Sequence, residues 1–294
     1  MILGYTGTLG GGKTLCAVRD AWVYSLEAGG APVWGNLTLH AGGWAQHRLV
    51  NPAFKLGRVS APDDIVRMVA EGGGILILDE VHQDLDARQS LATQNILLSR
   101  FLMFMRKSGI TVLYTAQDAA MIDKRMRAVT DIITWCEGWG PRENRTHRFT
   151  RIHYRSGRQV RVDVLTSDQL QQVYPLYDTL EFVRQLEFPS RLAEFEAFMV
   201  AIEEASKFAR SYDGAPDRAW AAFMAQSGYS PRGSRAGRSA VASGNSLRVR
   251  TRRGAGNRGG SNPVVGTELE ATHENGGVHH DRTESVPSNP AWMG

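Results

Sequence analysis

One glycine-rich segment near the start of the chain restricts the fold more than any other feature of this 294-residue sequence. The residues from Gly7 to Thr14 match the pattern G-x-x-x-x-G-K-(S/T) at every specified position. A short apolar run at residues 1–5 precedes the pattern, and a helical spacing of apolar residues over about residues 13–28 follows it. A strand, a glycine-rich turn and a helix in that order predict a phosphate-binding loop.

Each residue type in this P-loop has an expected role in holding a nucleotide. Glycine lets backbone N–H groups turn inward around the β-phosphate, and the positive end of the helix dipole points at the same phosphate. Lys13 is expected to reach the β- and γ-phosphates, and the Thr14 hydroxyl to ligate Mg²⁺. The predicted nucleotide-binding residues are Gly7, Thr8, Leu9, Gly10, Gly11, Gly12, Lys13 and Thr14.

A second motif is an apolar strand that ends in two acids. Residues 75–78 are apolar on both faces, which is typical of a central parallel strand covered by helices on both sides. Asp79 is predicted to hold Mg²⁺ through its water shell, and Glu80 to polarise the attacking water. The pair indicates hydrolysis of ATP rather than a GTP switch, since the sequence has no guanine-specifying N-K-x-D motif. ATP and Mg²⁺ are therefore the predicted cofactors.

Gln117 follows the next buried strand, which is predicted at residues 110–115. Alone, a glutamine after a strand is more often a surface loop residue than a functional one. A polar residue at the tip of the strand beside the acidic pair can also touch the γ-phosphate and report hydrolysis. With the two motifs upstream, the sensor interpretation is favoured.

The rest of the sequence divides the chain into three parts. Strands and helices alternate up to about residue 185, two amphipathic helices follow at 191–210 and 215–226, and the pattern then stops. The other predicted features are a strand at 32–39, an irregular excursion at 44–59, helices at 63–70 and 91–107, a strand at 132–136, and a hairpin at 149–154 and 159–165. The sequence thus predicts an ATPase domain at 1–185, a helical segment at 186–228 and a tail at 229–294.

The tail carries all of the excess charge of the protein. Residues 229–258 include eight arginines and no acid, whereas residues 1–228 are charge-balanced. Glycine, serine, arginine, asparagine and proline dominate the tail, so it is predicted to be disordered. Such a segment suits sequence-independent contacts with DNA phosphates, and a solvated linker without a ligand is an equal alternative.

Composition also restricts the compartment in which the protein is expected to act. No apolar run approaches the roughly 20 residues of a membrane-spanning helix, and the N-terminus does not resemble a signal peptide. Cys16 and Cys136 match no metal-ligand spacing and form no disulfide framework, which favours a reducing cytoplasm. The chain is expected to be soluble, or held at a membrane only by a partner.

The motifs together resemble the FtsK–HerA superfamily of DNA-pumping ATPases. Within it they are similar to the genome-packaging ATPases of internal-membrane viruses and to the zonula-occludens-toxin-like assembly ATPases of filamentous phages. The resemblance covers about residues 1–185 and implies an α/β, RecA-like P-loop NTPase with a mainly parallel central sheet flanked by helices. It rests on the early P-loop and on Trp34-Gly35-Asn36-Leu37, Asp79-Glu80-Val81-His82, Asp86-Ala87-Arg88, Arg106-Lys107-Ser108-Gly109, Thr115-Ala116-Gln117, Ile122-Asp123-Lys124-Arg125-Met126-Arg127 and Tyr177-Asp178-Thr179.

This resemblance implies partners as well as a fold. Such ATPases act as homo-oligomeric rings, here a hexamer or pentamer, in which an arginine of a neighbouring subunit stabilises the charge on the γ-phosphate. Arg88 is the first candidate for that arginine, and Arg106, Arg125 and Arg127 are alternatives. The other implied partners are double-stranded DNA and proteins of a viral capsid or membrane vertex. The implied location is the host cytoplasm or a capsid vertex.

Three functions compete at this stage. The leading hypothesis is an ATP-driven motor that translocates double-stranded DNA into a viral capsid. The second is a filamentous-phage-type ATPase of virion assembly and export, a group that carries a membrane-spanning segment not expected in this chain. The third is a P-loop kinase of small molecules, which fits poorly with the long C-terminal helices and the basic tail.

Overall fold

One eight-stranded sheet forms the centre of the protein, as seen in a computed structural model that describes residues 1–81, 93–122, 124–141, 144–181, 183, 186, 189 and 191–231. Its strands are β1 (Ile2–Gly7), β2 (Val33–Gly35), β3 (Leu56–Arg58), β4 (Ile75–Leu78), β5 (Thr111–Thr115), β6 (Ile132–Trp139), β7 (Thr146–His153) and β8 (Gln159–Thr166). The order across the sheet is β3-β2-β4-β5-β1-β6-β7-β8. The first six strands in that order run parallel, and β7 and β8 extend the sheet as an antiparallel hairpin.

Helices cover both faces of the parallel part of the sheet. They are α1 (Lys13–Glu27), α2 (Ala45–Val50), α3 (Pro62–Ala70), α4 (Thr93–Lys107), α5 (Lys124–Val129), α6 (Ser167–Leu170), α7 (Leu192–Ser211) and α8 (Ala219–Ser227). Successive residues of β5 pack against the helix layers on opposite faces of the sheet. Val112 belongs to the apolar cluster that includes residues of α3, α4, α7 and α8. Leu113 belongs to the cluster that includes residues of α1. This arrangement confirms the predicted α/β class and the mainly parallel, RecA-like sheet.

The region from residue 44 to residue 59 contains regular structure, so the prediction of an irregular excursion was wrong. Helix α2 begins after Trp44, and β3 pairs in parallel with β2 at the edge of the sheet. Trp44 and His47 are fully buried, and their rings lie 5.0 Å apart. These elements have six and three residues, too few to show a periodicity, and their burial depends on contacts made by the folded chain.

The C-terminal helices share an apolar core with the central sheet. Phe198 of α7 and Phe223 of α8 belong to the same apolar cluster as Val112 of the sheet. The ring of Tyr229, which begins the predicted tail, lies 5.8 Å from that of Phe223, and its hydroxyl donates a hydrogen bond to Asp63. Helix α7 is 20 residues long, but no helix in the described part of the chain is long and apolar enough to span a membrane.

A buried ionic cluster joins α1 to the antiparallel hairpin. Arg151 of β7 donates to both carboxylate oxygens of Asp20, at 2.8 and 2.9 Å, and also to Asp163 of β8. The Tyr5 hydroxyl donates to Asp20 at 2.8 Å. Burial acts to raise the pKa of Asp163, but the guanidinium groups of Arg151 and Arg161 outweigh it and hold that pKa low. The cluster therefore keeps β7 and β8 attached to the helix that follows the P-loop.

Replacing Arg151 with methionine is expected to lower the free energy of unfolding by about 3–5 kcal/mol, because it removes the guanidinium that donates to both oxygens of the buried Asp20 carboxylate. Arg161 is the matched control, since it pairs with the same Asp163 carboxylate but its side chain is 63% exposed. Arg161→Met is expected to cost only about 0–1 kcal/mol, as solvent-exposed ion pairs do. Urea unfolding of the two variants measures the difference, and equal losses would show that burial of the Arg151 pairs is energetically unimportant.

Candidate nucleotide-binding site

The P-loop connects the end of β1 to the start of α1, at the carboxyl edge of the sheet. Gly7 has φ +136°, and a Cβ there would lie 2.0 Å from the Cys136 carbonyl oxygen of β6. Gly12 precedes α1 with φ +89°, and a Cβ there would lie 2.7 Å from Nδ1 of His147. Only glycine fits at both positions, since each needs a positive φ as well as close contact with a neighbouring strand.

The Lys13 side chain lies against the first residues of the loop. The Lys13 ammonium donates to the carbonyl oxygens of Gly7 and Thr8, at 3.1 and 3.0 Å. Its pKa is lowered by burial, partly offset by Asp79 and Glu80. Gly11 N–H donates to the Thr8 carbonyl at 2.9 Å, which closes the loop around its centre.

The two predicted magnesium ligands are adjacent. Thr14 Oγ1 donates to Asp79 Oδ1 at 2.8 Å, and Thr115 Oγ1 donates to the same oxygen at 2.6 Å. Burial raises the pKa of Asp79, and these two hydrogen bonds partly offset the effect. Within the described residues, no three His, Cys, Asp or Glu side chains form a metal-binding group. A cation beside Thr14 and Asp79 would take one or two protein oxygens, with phosphate and water as its other ligands, which is how Mg²⁺ binds.

Asn36 fixes the position of Asp79 from the neighbouring strand. Its side-chain amide donates to the Asp79 carbonyl at 3.0 Å, and its side-chain oxygen accepts the Asp79 N–H at 2.7 Å. The residue follows β2, and it is buried. The sequence placed Asn36 in a motif of the resembled family but predicted no role for it. Its contacts with Asp79 join residues that are 43 positions apart, so no local pattern indicates them.

Glu80 has the unusual backbone expected of a functional residue. Its φ is +55°, and it is the one non-glycine residue with a positive φ in the part of the chain that the structure describes. Such a conformation costs of order 1–3 kcal/mol. The Glu80 N–H donates to Thr115 Oγ1 at 2.9 Å, so Thr115 holds both acids of the motif. This backbone turns Glu80 into the cavity that contains Lys13 and Thr14.

Gln117 is exposed after β5 and lies against the P-loop. Its carbonyl oxygen accepts the Gly7 N–H at 3.2 Å. Its role as a sensor of the γ-phosphate stays a prediction.

Of the arginines predicted to act on a neighbouring subunit, Arg88 lies outside the described residues. Arg106 pairs with Asp131 at 3.2 Å, and Arg127 donates to the Ala119 carbonyl at 3.3 Å.

A cavity of about 620 Å³ extends from the P-loop to a second wall that was not predicted from the sequence. On one side the wall contains Arg145 and His147, at the start of β7. His147 lies with Nδ1 3.1 Å from the Gly11 carbonyl oxygen, and burial lowers its pKa. On the other side it contains part of residues 167–181, here named the crossing segment.

The crossing segment runs over the carboxyl edge of the sheet from β8 to β2. Its Asp178 N–H donates to the Thr38 carbonyl at 3.0 Å, and its Leu176 carbonyl accepts the His40 N–H at 2.9 Å. No local pattern in the sequence predicts this course of the chain, because the paired residues are about 140 positions apart. The Tyr177-Asp178-Thr179 motif is part of this segment, so the structure gives that motif a place at the site.

Comparison with known families agrees with this geometry. Residues 1–181 match the model of the family described as zonular occludens toxin (Zot), which is more than half of the chain. The chain belongs to the Zot family. The match confirms the resemblance to this family that was inferred from the motifs, and the matched residues of this Zot-family chain include the P-loop at residues 7–14. No curated protein matches the chain.

Solved structures similar to this Zot-family chain include three of low sequence identity. The N-terminal domain of zonular occludens toxin from Neisseria meningitidis is 19% identical, with 60% of this chain and 98% of that chain covered and a TM-score of 0.38. A KaiC-like protein from Pyrococcus horikoshii is 15% identical, with coverages of 56% and 83% and a TM-score of 0.39. The genome packaging NTPase B204 from Sulfolobus turreted icosahedral virus 2, in complex with AMP, is 12% identical, with coverages of 55% and 95% and a TM-score of 0.37.

Proposed function

We propose that this protein hydrolyses ATP to drive a DNA-translocating step of phage assembly. The observation that supports the proposal is that Lys13, Thr14 and Glu80 line one cavity in a chain of the Zot family. Thr14 also donates a hydrogen bond to Asp79. Lys13 and the loop N–H groups would hold the phosphates, and Thr14 and Asp79 would hold Mg²⁺. When bound, Mg²⁺ would neutralise charge that develops on the phosphates. Glu80 would orient the attacking water.

The protein is proposed to act as a homo-oligomeric ring. Arg88 remains the first candidate for the arginine that a neighbouring subunit adds to each site, because its place after Asp79-Glu80 matches the pattern of the resembled family. Arg106 is a weaker alternative, since its side chain already pairs with Asp131. A positive charge from a neighbour would couple hydrolysis in one subunit to the position of the next.

Two forms of the motor are supported by different observations. The eight arginines at residues 229–258 favour direct contact with DNA phosphates, as expected for translocation of double-stranded DNA into a viral capsid. The family match favours a filamentous-phage-type ATPase of virion assembly and export. The partners of the packaging motor would be double-stranded DNA and proteins of a viral capsid or membrane vertex, with the host cytoplasm or a capsid vertex as the location.

Duplex DNA is expected to accelerate ATP hydrolysis by the full-length protein severalfold if the chain grips DNA. Phosphate release, measured with duplex DNA, single-stranded DNA and no DNA, is the direct test. Stimulation by the duplex supports the packaging motor. Hydrolysis that is equal in all three samples would contradict a DNA-translocating role and leave the export ATPase as the supported function.

A deletion of residues 232–294 tests whether the tail binds DNA. The deletion begins after Tyr229, because that residue packs against the folded core. If the tail holds DNA, the log–log dependence of affinity on salt is expected to flatten by about 0.9 for each DNA phosphate that the tail neutralises in the full-length protein, whatever the DNA sequence. An unchanged salt slope would place the DNA-binding surface within residues 1–231.

A further inference from the structure

The cavity beside the P-loop is larger than a triphosphate chain requires. Its volume of about 620 Å³ lies within the range of roughly 300–1,000 Å³ that is typical of pockets for whole small molecules. Lys13, Thr14 and Glu80 line the cavity. Residues of the crossing segment line it too, and the phosphate motifs do not explain their presence there. A ligand bound in this cavity by its phosphates would therefore place its remaining part against the crossing segment.

The crossing segment is held in place at several points. The Ser167 hydroxyl donates to the Arg145 carbonyl at 2.8 Å, which ties the start of the segment to the strand hairpin. Buried Trp44 donates its indole N–H to the Leu176 carbonyl at 3.0 Å. Glu181 accepts the Thr38 N–H and pairs with Arg58 at 2.7 Å, which fixes the far end. The wall is thus formed before a ligand arrives, and such preorganisation lowers the entropic cost of binding.

The side chains on this wall match the chemistry of a nucleoside. Tyr174 lines the cavity with its side chain 37% exposed, so a flat face is available for stacking. Asp168 lines the same region and provides carboxylate oxygens that accept hydrogen bonds from hydroxyl groups. An aromatic ring and a carboxylate in one cavity with a phosphate cradle are the groups that a base and a ribose require.

Arg145 places a guanidinium on the wall of the cavity. Its guanidinium lies against the P-loop, since a Cβ on Gly10 would be 2.9 Å from Arg145 Nη1. Because Arg145 lines the cavity, its guanidinium can donate hydrogen bonds to an anion or a base bound there.

We propose that the crossing segment forms the nucleoside half of the nucleotide site. Tyr174 stacks on the base, Asp168 accepts hydrogen bonds from the ribose hydroxyls, and Arg145 faces the ligand where the nucleoside joins the phosphates. This inference rests on the proposed function, because it takes the phosphate cradle to be the site of ATP. It adds that affinity for ATP depends on residues more than 130 positions beyond the P-loop.

The test compares ATPγS with inorganic tripolyphosphate, both with Mg²⁺, by calorimetric titration of the full-length protein. Tripolyphosphate occupies only the cradle, so it reports whether each variant is folded there. Tyr174→Ala is expected to weaken ATPγS binding about tenfold and to change tripolyphosphate binding by less than about twofold, as loss of one base–aromatic stack predicts. Tyr174→Phe keeps the stacking surface and is expected to bind ATPγS normally.

Asp168→Ala gives a second, chemically distinct readout. The wild-type protein is expected to bind ATP more tightly than 2′-deoxy-ATP, and the variant to lose that preference. Gln172→Ala is the matched control, since Gln172 is exposed on the same segment but does not line the cavity. Equal ATPγS affinity in wild type, Tyr174→Ala and Asp168→Ala, with the ribose preference unchanged, would overturn the inference.

Failure of this inference is distinguishable from failure of the proposed function. Lys13→Ala is expected to weaken both ATPγS and tripolyphosphate, because both use the cradle. If Lys13→Ala weakens both ligands and the crossing-segment variants weaken neither, the cradle is correct and the nucleoside site lies elsewhere. If Lys13→Ala changes neither ligand, the cradle itself is not the nucleotide site.

Discussion

Glu80→Gln is expected to stop ATP turnover while ATP still binds. The carboxylate can orient the attacking water and accept its proton, whereas an amide of the same shape cannot, and loss of a general base typically lowers the rate by about 10²–10⁴-fold. The substitution keeps the side-chain volume and changes only its charge and acceptor properties. Phosphate release under saturating ATP measures turnover, and titration with ATPγS measures binding.

Glu27→Gln is the matched control for this variant. Glu27 is exposed at the end of α1. Glu27→Gln therefore removes one negative charge, as Glu80→Gln does, but away from the site. The control is expected to hydrolyse ATP at the wild-type rate. Near-normal hydrolysis by Glu80→Gln would remove Glu80 from the catalytic role and would leave its positive φ of 55° without a functional reason.

Lys13→Ala is expected to abolish measurable ATP binding. Its ammonium lies 3.1 and 3.0 Å from two carbonyl oxygens of the P-loop, so it is in place to meet the phosphates that the loop surrounds. Hydrogen bonds to charged groups contribute about 1.5–3 kcal/mol each, so losing the bonds to two phosphates corresponds to a rise in Kd of at least about a hundredfold. Calorimetric titration with ATPγS gives the Kd directly.

Lys107→Ala controls for the loss of one positive charge. Lys107 is exposed at the end of α4 and does not line the cavity. We expect its Kd for ATPγS to equal that of the wild-type protein. A Lys13→Ala protein that binds ATPγS within about twofold of wild type would mean that the P-loop is not the nucleotide site.

The P-loop and the acidic strand end could be predicted because their conformations are encoded locally. Gly7 and Gly12 have positive φ and leave no room for a Cβ, so the loop depends on residue types that a sequence displays directly. Residues 75–78 form a buried strand at the predicted bounds, since four apolar residues before two acids allow little else. The predicted helix at 13–28 is observed at Lys13–Glu27.

Short elements and long-range contacts could not be predicted in this way. Strand β2 has only three residues, against a predicted strand at 32–39, because its length depends on the neighbours β3 and β4 that pair with it. The hydrogen bonds of Asn36 to Asp79 and the approach of His147 to Gly11 join residues 43 and 136 positions apart. No periodicity within a single segment contains that information.

The sequence by itself therefore determined the chemistry of phosphate binding, because glycine, lysine, threonine and two acids carry it in two short motifs. The tertiary structure alone decided which distant side chains complete the site. The parallel strands all end at one edge of the sheet, and the crossing segment passes over that edge on its way from β8 to β2. The cavity is lined by Tyr174, Asp168 and Arg145 only because the chain crosses the sheet in this way. That crossing depends on how the whole core packs.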